Sequence, residues 1–381
     1  MELDVLEEAI DSLCAGDLGV YADAESVERF HRLARRLEAA TTEVTTAFDS
    51  AGNWVPSGAR SAAGWLAAVC KMPGGEARRE IRRGRALRHL PVCEKAWLKG
   101  DIGGAHVDAV VGVRNDVTAA ALARDESILV RQATSLSYRD FVRALGYWHQ
   151  LADPDGVELD AAKVLAKRSV YLNSSYDGTW LGQMTFDPVS GAIVAGELSR
   201  IEKEMFEAEW KEATAGRAHE PTSVKLSRTP GQRRADALVE MAVRSRSAPA
   251  DAKRPAPLFS VLVGYETLHG RVCELAGGTV VTPGALLPWL DQALIERVVF
   301  APGNRVEVST TARLFGGATR RAIEVRDRQC THPMCEESTR RLEVDHIVPY
   351  SENGLTIQEN GRLRCGFHNR LRNGREPPDR S

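Results

Sequence analysis

Three segments decide the reading of this 381-residue chain: RDRQCTHPMC (326–335), LEVDHIVPYSENG (342–354) and ENGRLRCGFHNRLRNG (359–374). Cys330 and Cys335 are separated by four residues, Cys365 and His368 by two. Thiolates and neutral imidazoles are good zinc ligands, and structural zinc takes four of them in a tetrahedron. Two short-spaced pairs joined by a loop meet that requirement. Such a site would pin a hairpin to a helix in a module too small to bury much core. The alternative is a set of reduced, unligated cysteines. His332 lies inside the first pair and reads as a turn residue ahead of Pro333, with competition for the metal as the other reading.

Between the pairs, LEVDHIVPY alternates apolar and polar residues and predicts a β-strand. On a strand Asp345 and His346 point to opposite faces, so they should do different jobs. Glu352-Asn353-Gly354 is a turn signal. Asn360 and Gly361 follow it, and CGFHNRLR reads as a short helix carrying Arg370 and Arg372. Strand, loop, strand and helix, with His on the first strand and Asn on the helix, is the layout of a ββα-metal site.

Residues 326–375 resemble the HNH endonuclease family in its zinc-stapled form. The resemblance implies that Asp345 is the first ligand of a catalytic metal and His346 the general base. It implies that Asn360 braces the loop holding that base, and that Asn369 is the last metal ligand, a position where many members carry His. Cys330, Cys335, Cys365 and His368 match the structural-zinc positions. The chemistry suits these residue types. A neutral imidazole titrates near working pH and can take a proton from water. Oxygen donors favour Mg2+ or Mn2+, which can polarise a phosphate and stabilise the leaving oxygen. Arg362, Arg364, Arg370, Arg372 and Arg375, with no acid among them, suit the phosphate backbone of DNA or form a solvated basic face.

The whole chain sets ordinary bounds. Its length allows two or three domains. With 43% hydrophobic and 27% charged residues it is globular, and a net charge of −2 gives no global nucleic-acid signal. Cys14, Cys70, Cys93 and Cys273 are scattered and read as reduced core residues, which fits a cytoplasmic location. MELDVLEEAIDSL lacks the basic and apolar regions of a secretory signal, and no apolar run is long enough to span a membrane.

Residues 1–152 read as helical. Val5, Leu6, Ala9, Ile10 and Leu13 form one stripe; Phe30, Leu33, Leu37, Ala40, Val44 and Phe48 form another on a longer helix, expected to face the core. A helix from Glu76 to Leu90 shows a basic side made of Arg78, Arg79, Arg82, Arg83, Arg85 and Arg88, either solvated or facing DNA. Asp153-Pro154-Asp155-Gly156 marks a boundary. Beyond it, 153–318 reads as mixed: a hairpin from RSVYLN and TWLGQMTF, helices at 192–217 and 232–244, a strand at 258–263, a helix at 283–295, and a second hairpin at 297–309. Residues 319–381 are the HNH-like module, reached through a helix at 319–325.

The front of the chain carries a second resemblance, through GARSAAGWLA, RALRHLP, WLKGDIGGAHVDAV, PGQRRADALVEMA and TARLFGGATRRAIEVRDRQC. Over roughly residues 25–325 it is similar to the long uncharacterised domain that precedes HNH modules in a large actinobacterial family abundant in mycobacteria. The expectation is an α+β protein ending in a DNA endonuclease module that uses Mg2+ or Mn2+ in catalysis and Zn2+ for structure. The alternative is a zinc-stapled DNA-binding protein that does not cut and acts through its front domain. One such site cuts one strand per visit, so a homodimer is compatible with cutting two.

Overall fold

Several helix starts in this chain are written by side chains that accept backbone N–H groups. Asp23, Ser61, Asp153 and Asp187 accept from Ser26, Gly64, Gly156 and both Val189 and Ser190, which satisfies donors that a helix cannot pair internally. The computed structural model describes residues 2–215, 226–247, 249, 258–262, 273–275, 279–286, 294–296, 315, 317–337 and 342–372. Contacts divide the chain into two units, Met1–Ala152 and Asp153–Ser381. The division falls at Asp153-Pro154, which is also the start of a helix rather than a loop, because Asp153 caps it and Pro at the first turn costs no hydrogen bond. The fold is α+β.

The first unit is helical among its described residues: α1 (Glu2–Ala15), α2 (Ala24–Ser50), α3 (Ala62–Val69), α4 (Gly74–Leu87), α5 (Pro91–Lys99), α6 (Gly104–Gly112), α7 (Ala119–Ser135) and α8 (Tyr138–Ala152). Leu90, Cys93, Trp97, Val107, Leu129 and Phe141 are central to its core. Gly100 ends α5 at φ +81°, and a Cβ there would lie 2.7 Å from the Arg32 side chain and 2.8 Å from the Arg32 carbonyl. Glycine therefore serves both the turn and the close approach of α2.

Three expectations change here. The α2 stripe does not face the core: Ala39, Thr42 and Thr45 are buried, while Leu33, Leu37 and Val44 are exposed. Periodicity found a face but not its direction, since α4 and α5 pack on the side with small side chains. The basic side of α4 is interrupted. Arg83 is buried, donates to both oxygens of Asp108 at 2.8 and 2.6 Å and to Glu38 at 2.9 Å, and lies 5.1 Å from the Trp97 ring. Arg85 pairs with Asp49. Cys14 and Cys70 are exposed; of the cysteines expected in the core, Cys93 is buried, its thiol pushed up to about 12 by burial and by the Glu126 and Glu94 carboxylates.

The second unit begins with α9 (Pro154–Ala166), a helix the sequence reading missed, and the expected hairpin, β1 (Ser169–Ser174) with β2 (Trp180–Thr185). Val170 pairs with Met184 and Ser174 with Trp180. Helix α10 (Pro188–Thr214) starts four residues earlier than expected, at its Asp187 cap, and pairs with α11 (Pro230–Ser247). Buried Glu209 holds the pair, accepting from Arg228 at 2.5 Å and Arg233 at 3.0 Å.

A four-stranded sheet follows, in the order β5-β4-β3-β6, from β3 (Leu258–Leu262), β4 (Cys273–Leu275), β5 (Val280–Val281) and β6 (Leu294–Glu296). β6 runs parallel to β3. The helix expected over 283–295 is described only as the short α12 (Pro283–Leu286), and Leu294–Glu296 is a strand: pairing with β3 outweighs a local helical pattern. Cys273 lies in β4, a strand absent from the sequence reading. The hairpin expected at 297–309 lies outside the described residues. α13 (Gly317–Asp327) then leads to β7 (Leu342–His346), β8 (Gly361–Cys365) and α14 (Gly366–Arg372). No described helix is long and apolar enough to cross a membrane.

Candidate functional site

β7 and β8 form an antiparallel ribbon that pairs Leu342 with Cys365, Glu343 with Arg364, Asp345 with Arg362 and His346 with Gly361. The ribbon presses Leu342 and Leu363 against Phe315 and Ile323. Gly361 makes this contact possible, since a Cβ would lie 2.3 Å from Ile323 Cδ1 and 2.8 Å from Phe315. The end of α13 is tied to the same strand. Asp327 accepts from the Leu363 N–H at 2.8 Å, and Arg326 donates to the Gly361 carbonyl at 2.6 Å and the Gln358 carbonyl at 2.8 Å.

The four predicted zinc ligands come together. Their ligand atoms all lie within 4.8 Å of one another. Nδ1 of His368 is 3.2 Å from Cys365 Sγ and 3.5 Å from Cys330 Sγ, and Cys335 Sγ is 3.8 Å from Cys365 Sγ. The first pair sits on a turn in which Cys330 N–H donates to Glu337 and Cys335 N–H donates to His332; Thr331 N–H donates to Leu363 of β8. Arg328 enters this turn in the left-handed region at φ +60°. His332 stays outside the ligand group: its ring stacks on His368 at 3.8 Å and its Nδ1 accepts from Met334 N–H.

The thiols show why a cation fits. Burial opposes the Cys330 thiolate, but backbone N–H groups of Cys365 and His332 hold its pKa below the ordinary thiol value. Burial and the neighbouring thiols push Cys335 up to about 11. A second thiolate is thus resisted where the first is stabilised, and a divalent ion removes that conflict. Three sulfurs and an imidazole nitrogen match zinc.

Strand parity separates Asp345 from His346. His346 lies on the side of Leu342 and Val344, its ring 4.4 Å from Phe315 and 5.8 Å from Tyr350, and its Nε2 is 3.1 Å from buried Thr356 Oγ1. Asn360 ties the chain that follows His346. Its Oδ1 accepts from Val348 N–H at 2.8 Å; its Nδ2 donates to the Val348 carbonyl at 3.1 Å and the Leu355 carbonyl at 2.8 Å. Gly354 is required in this loop, because a Cβ would fall 1.8 Å from the Val348 carbonyl oxygen.

Asp345 and Asn369 are each engaged by other side chains. Asp345 Oδ2 accepts from Arg372 at 2.5 Å and from Arg362 at 3.3 and 3.2 Å. Asn369 Nδ2 donates to Glu343. Glu343, two residues from Asp345 on the same strand face, was missed in the sequence. The even spacing along β7 was the signal that could have found it. Of the arginines expected to meet phosphate, Arg362 and Arg372 converge on Asp345, Arg364 lies opposite Glu343 in the register, Arg370 is exposed, and Arg375 lies outside the described residues.

Comparison with known proteins addresses the front of the chain. Uncharacterized protein MT1160 of Mycobacterium tuberculosis (strain CDC 1551 / Oshkosh) is 24% identical over 307 residues, covering 74% of this chain and 70% of that protein. Uncharacterized protein Rv1128c of Mycobacterium tuberculosis (strain ATCC 25618 / H37Rv) is 24% identical over 307 residues, covering 74% of this chain and 65% of that protein. No solved structure matches. The family described as Domain of unknown function (DUF222) matches residues 24–327, ending where α13 ends, just before the cysteine turn. The chain therefore belongs to the DUF222 family.

Proposed function

We propose that residues 326–372 form a zinc-stapled nuclease module of the HNH type, which hydrolyses phosphodiester bonds in DNA with His346 as general base. The observation that carries this reading is the loop behind His346. Asn360 spans it with three hydrogen bonds, to both backbone groups of Val348 and to the Leu355 carbonyl. That is the bracing role the family resemblance gives to the middle asparagine. With the loop fixed, the imidazole is held between Phe315 and Tyr350 while Nε2 meets Thr356. A positioned neutral imidazole can take the proton of an attacking water.

The Cys330, Cys335, Cys365 and His368 group would hold zinc for structure, fixing α14 to the ribbon. The catalytic ion is a separate matter. Mg2+ or Mn2+ on oxygens of Asp345 and Asn369 would supply charge stabilisation at the leaving oxygen. As arranged, the two donors do not face one ion together: Asp345 carries guanidinium contacts and the Asn369 amide is turned to Glu343. Arg362 and Arg372 both meet Asp345 through Oδ2, so an ion using that oxygen would have to displace Arg372.

Those same contacts favour a second reading, a zinc-stapled DNA-binding module that does not cut. Supercoiled-plasmid cleavage with Mg2+ or Mn2+ separates the two, run beside His346→Ala and an EDTA control. Metal-dependent nicking lost in the variant supports the nuclease. DNA binding of equal affinity with and without the divalent ion, and no cutting, supports the binder.

A further inference from the structure

Helices α2, α4 and α5 of the first unit line a cavity of about 260 Å³. Ala39, Leu87 and Trp97 give it a buried apolar floor. Gly84 lets α4 approach α2 closely, since a Cβ there would lie 1.8 Å from Thr46 Oγ1, and Ala47 is too short to fill the space that remains. Charge gathers at the rim. Glu43 of α2 is exposed and Glu94 of α5 is half-buried; neither carboxylate has a hydrogen bond or ion pair with a described residue. Burial, and then Glu43, push the Glu94 carboxyl up. Burial also raises Glu126 of α7; the backbone N–H groups of Cys93 and Val92 oppose that rise, and Glu94 adds to it. Arg88 lies on the rim too, but it acts on Asp49 and not on Glu94. The acidic side of the cavity is therefore uncompensated. Trp97 is 1% exposed, and its Nε1 is buried with no hydrogen-bond partner among the described residues.

We propose that this cavity binds a small amphiphilic amine, with an apolar body on the floor, an ammonium at Glu43 and Glu94, and an oxygen that accepts from Trp97 Nε1. The ligand's charge follows from the rim. An anion would add to the negative field of the glutamates, whereas an ammonium relieves their repulsion in a site already partly stripped of water. A bare metal ion is a poorer occupant. Among the described residues, three or more possible metal ligands converge at the Cys/His group alone, and an apolar floor offers a hard cation no oxygen. The ligand's body follows from the floor, where apolar surface leaves water. Its size follows from the volume, which lies just under the range of about 300–1,000 Å³ for drug-sized ligands; one ring on a short chain suits it. Its oxygen follows from Trp97, because a buried donor left unpaired costs stability that an acceptor restores. The site lies wholly within the first unit and involves no residue of 326–372.

The test is isothermal titration calorimetry of the full chain, with circular dichroism on each variant. The probes are tyramine, phenethylamine, which lacks the hydroxyl, and phloretate, which carries a carboxylate in place of the ammonium. Tyramine is expected to bind saturably at millimolar concentration or below, more tightly than phenethylamine and about tenfold or more tighter than phloretate. Glu43→Gln combined with Glu94→Gln keeps the side-chain shapes and should weaken tyramine about tenfold without weakening phloretate, a change of selectivity that a packing defect would not give. Ala47→Leu changes no charge and sits at an exposed position of the lining; it should weaken tyramine by filling the cavity. No saturable binding of tyramine overturns the proposal. So does phenethylamine or phloretate bound as tightly as tyramine, a Gln double variant with unchanged selectivity, or an Ala47→Leu protein that binds tyramine as the wild type does.

Discussion

Asn360→Ala tests the loop behind His346 most directly. The substitution removes three hydrogen bonds and leaves the Val348 N–H and the Val348 and Leu355 carbonyls to water. The bonds lie at the surface, so each falls in the lower part of the usual range of about 0.5–1.5 kcal/mol, and their joint loss is about 2 kcal/mol. Local opening should therefore become roughly thirtyfold more frequent. Amide hydrogen exchange of Val348 reads this opening directly, and the zinc-side amides Cys330 and Thr331 serve as an internal control. Asn360→Asp keeps the acceptor for Val348 N–H and loses both donors, so its protection should fall between wild type and Asn360→Ala. Unchanged exchange at Val348 in Asn360→Ala would refute the bracing role. A fall at Val348 matched by an equal fall at Cys330 would refute its local character.

Three further outcomes are expected. Metal analysis of the purified chain should find one zinc per chain, lost in Cys335→Ser and His368→Ala; structural zinc contributes on the order of 10 kcal/mol, so its removal should also abolish exchange protection across 342–372. Gly361→Ala should destabilise the module by about 1–3 kcal/mol through overpacking, seen as a lower melting temperature, because the new Cβ meets Ile323 and Phe315. Asp125 should titrate at about 2, held there first by Arg124 and then by Trp148 Nε1. Its folded pKa lies below the unfolded value, so its stabilising contribution is present above about pH 4 and lost as pH falls toward about 2; Trp148→Phe should raise it in a carboxyl-detected NMR titration.

The Cys/His cluster was legible because ligand chemistry restricts residue type and spacing together. Two short pairs of Cys and His leave few other geometries, and the four atoms do converge. The hairpin at 169–185 was legible for a similar reason, since turn residues and alternation act within a few residues of themselves. Asp345 and His346 were correctly placed on opposite faces by strand parity alone. What Asp345 would meet there was not legible. Arg362 reaches it across the ribbon and Arg372 from α14, and neither contact follows from its position along the chain.

The sequence by itself determined the α+β class, the Cys/His staple, the turn glycines and the family of the front domain, because these rest on local backbone preference and on side-chain chemistry at short range. Tertiary structure decided which side of α2 is buried, that Arg83 is a core residue held by Asp108 and Glu38, that 294–296 is a strand beside β3, and that Glu343 and Asn369 share a hydrogen bond. Each of these depends on what a distant segment presents. A helical stripe or a run of arginines is compatible with either water or a partner until the packing of other elements removes one of the two.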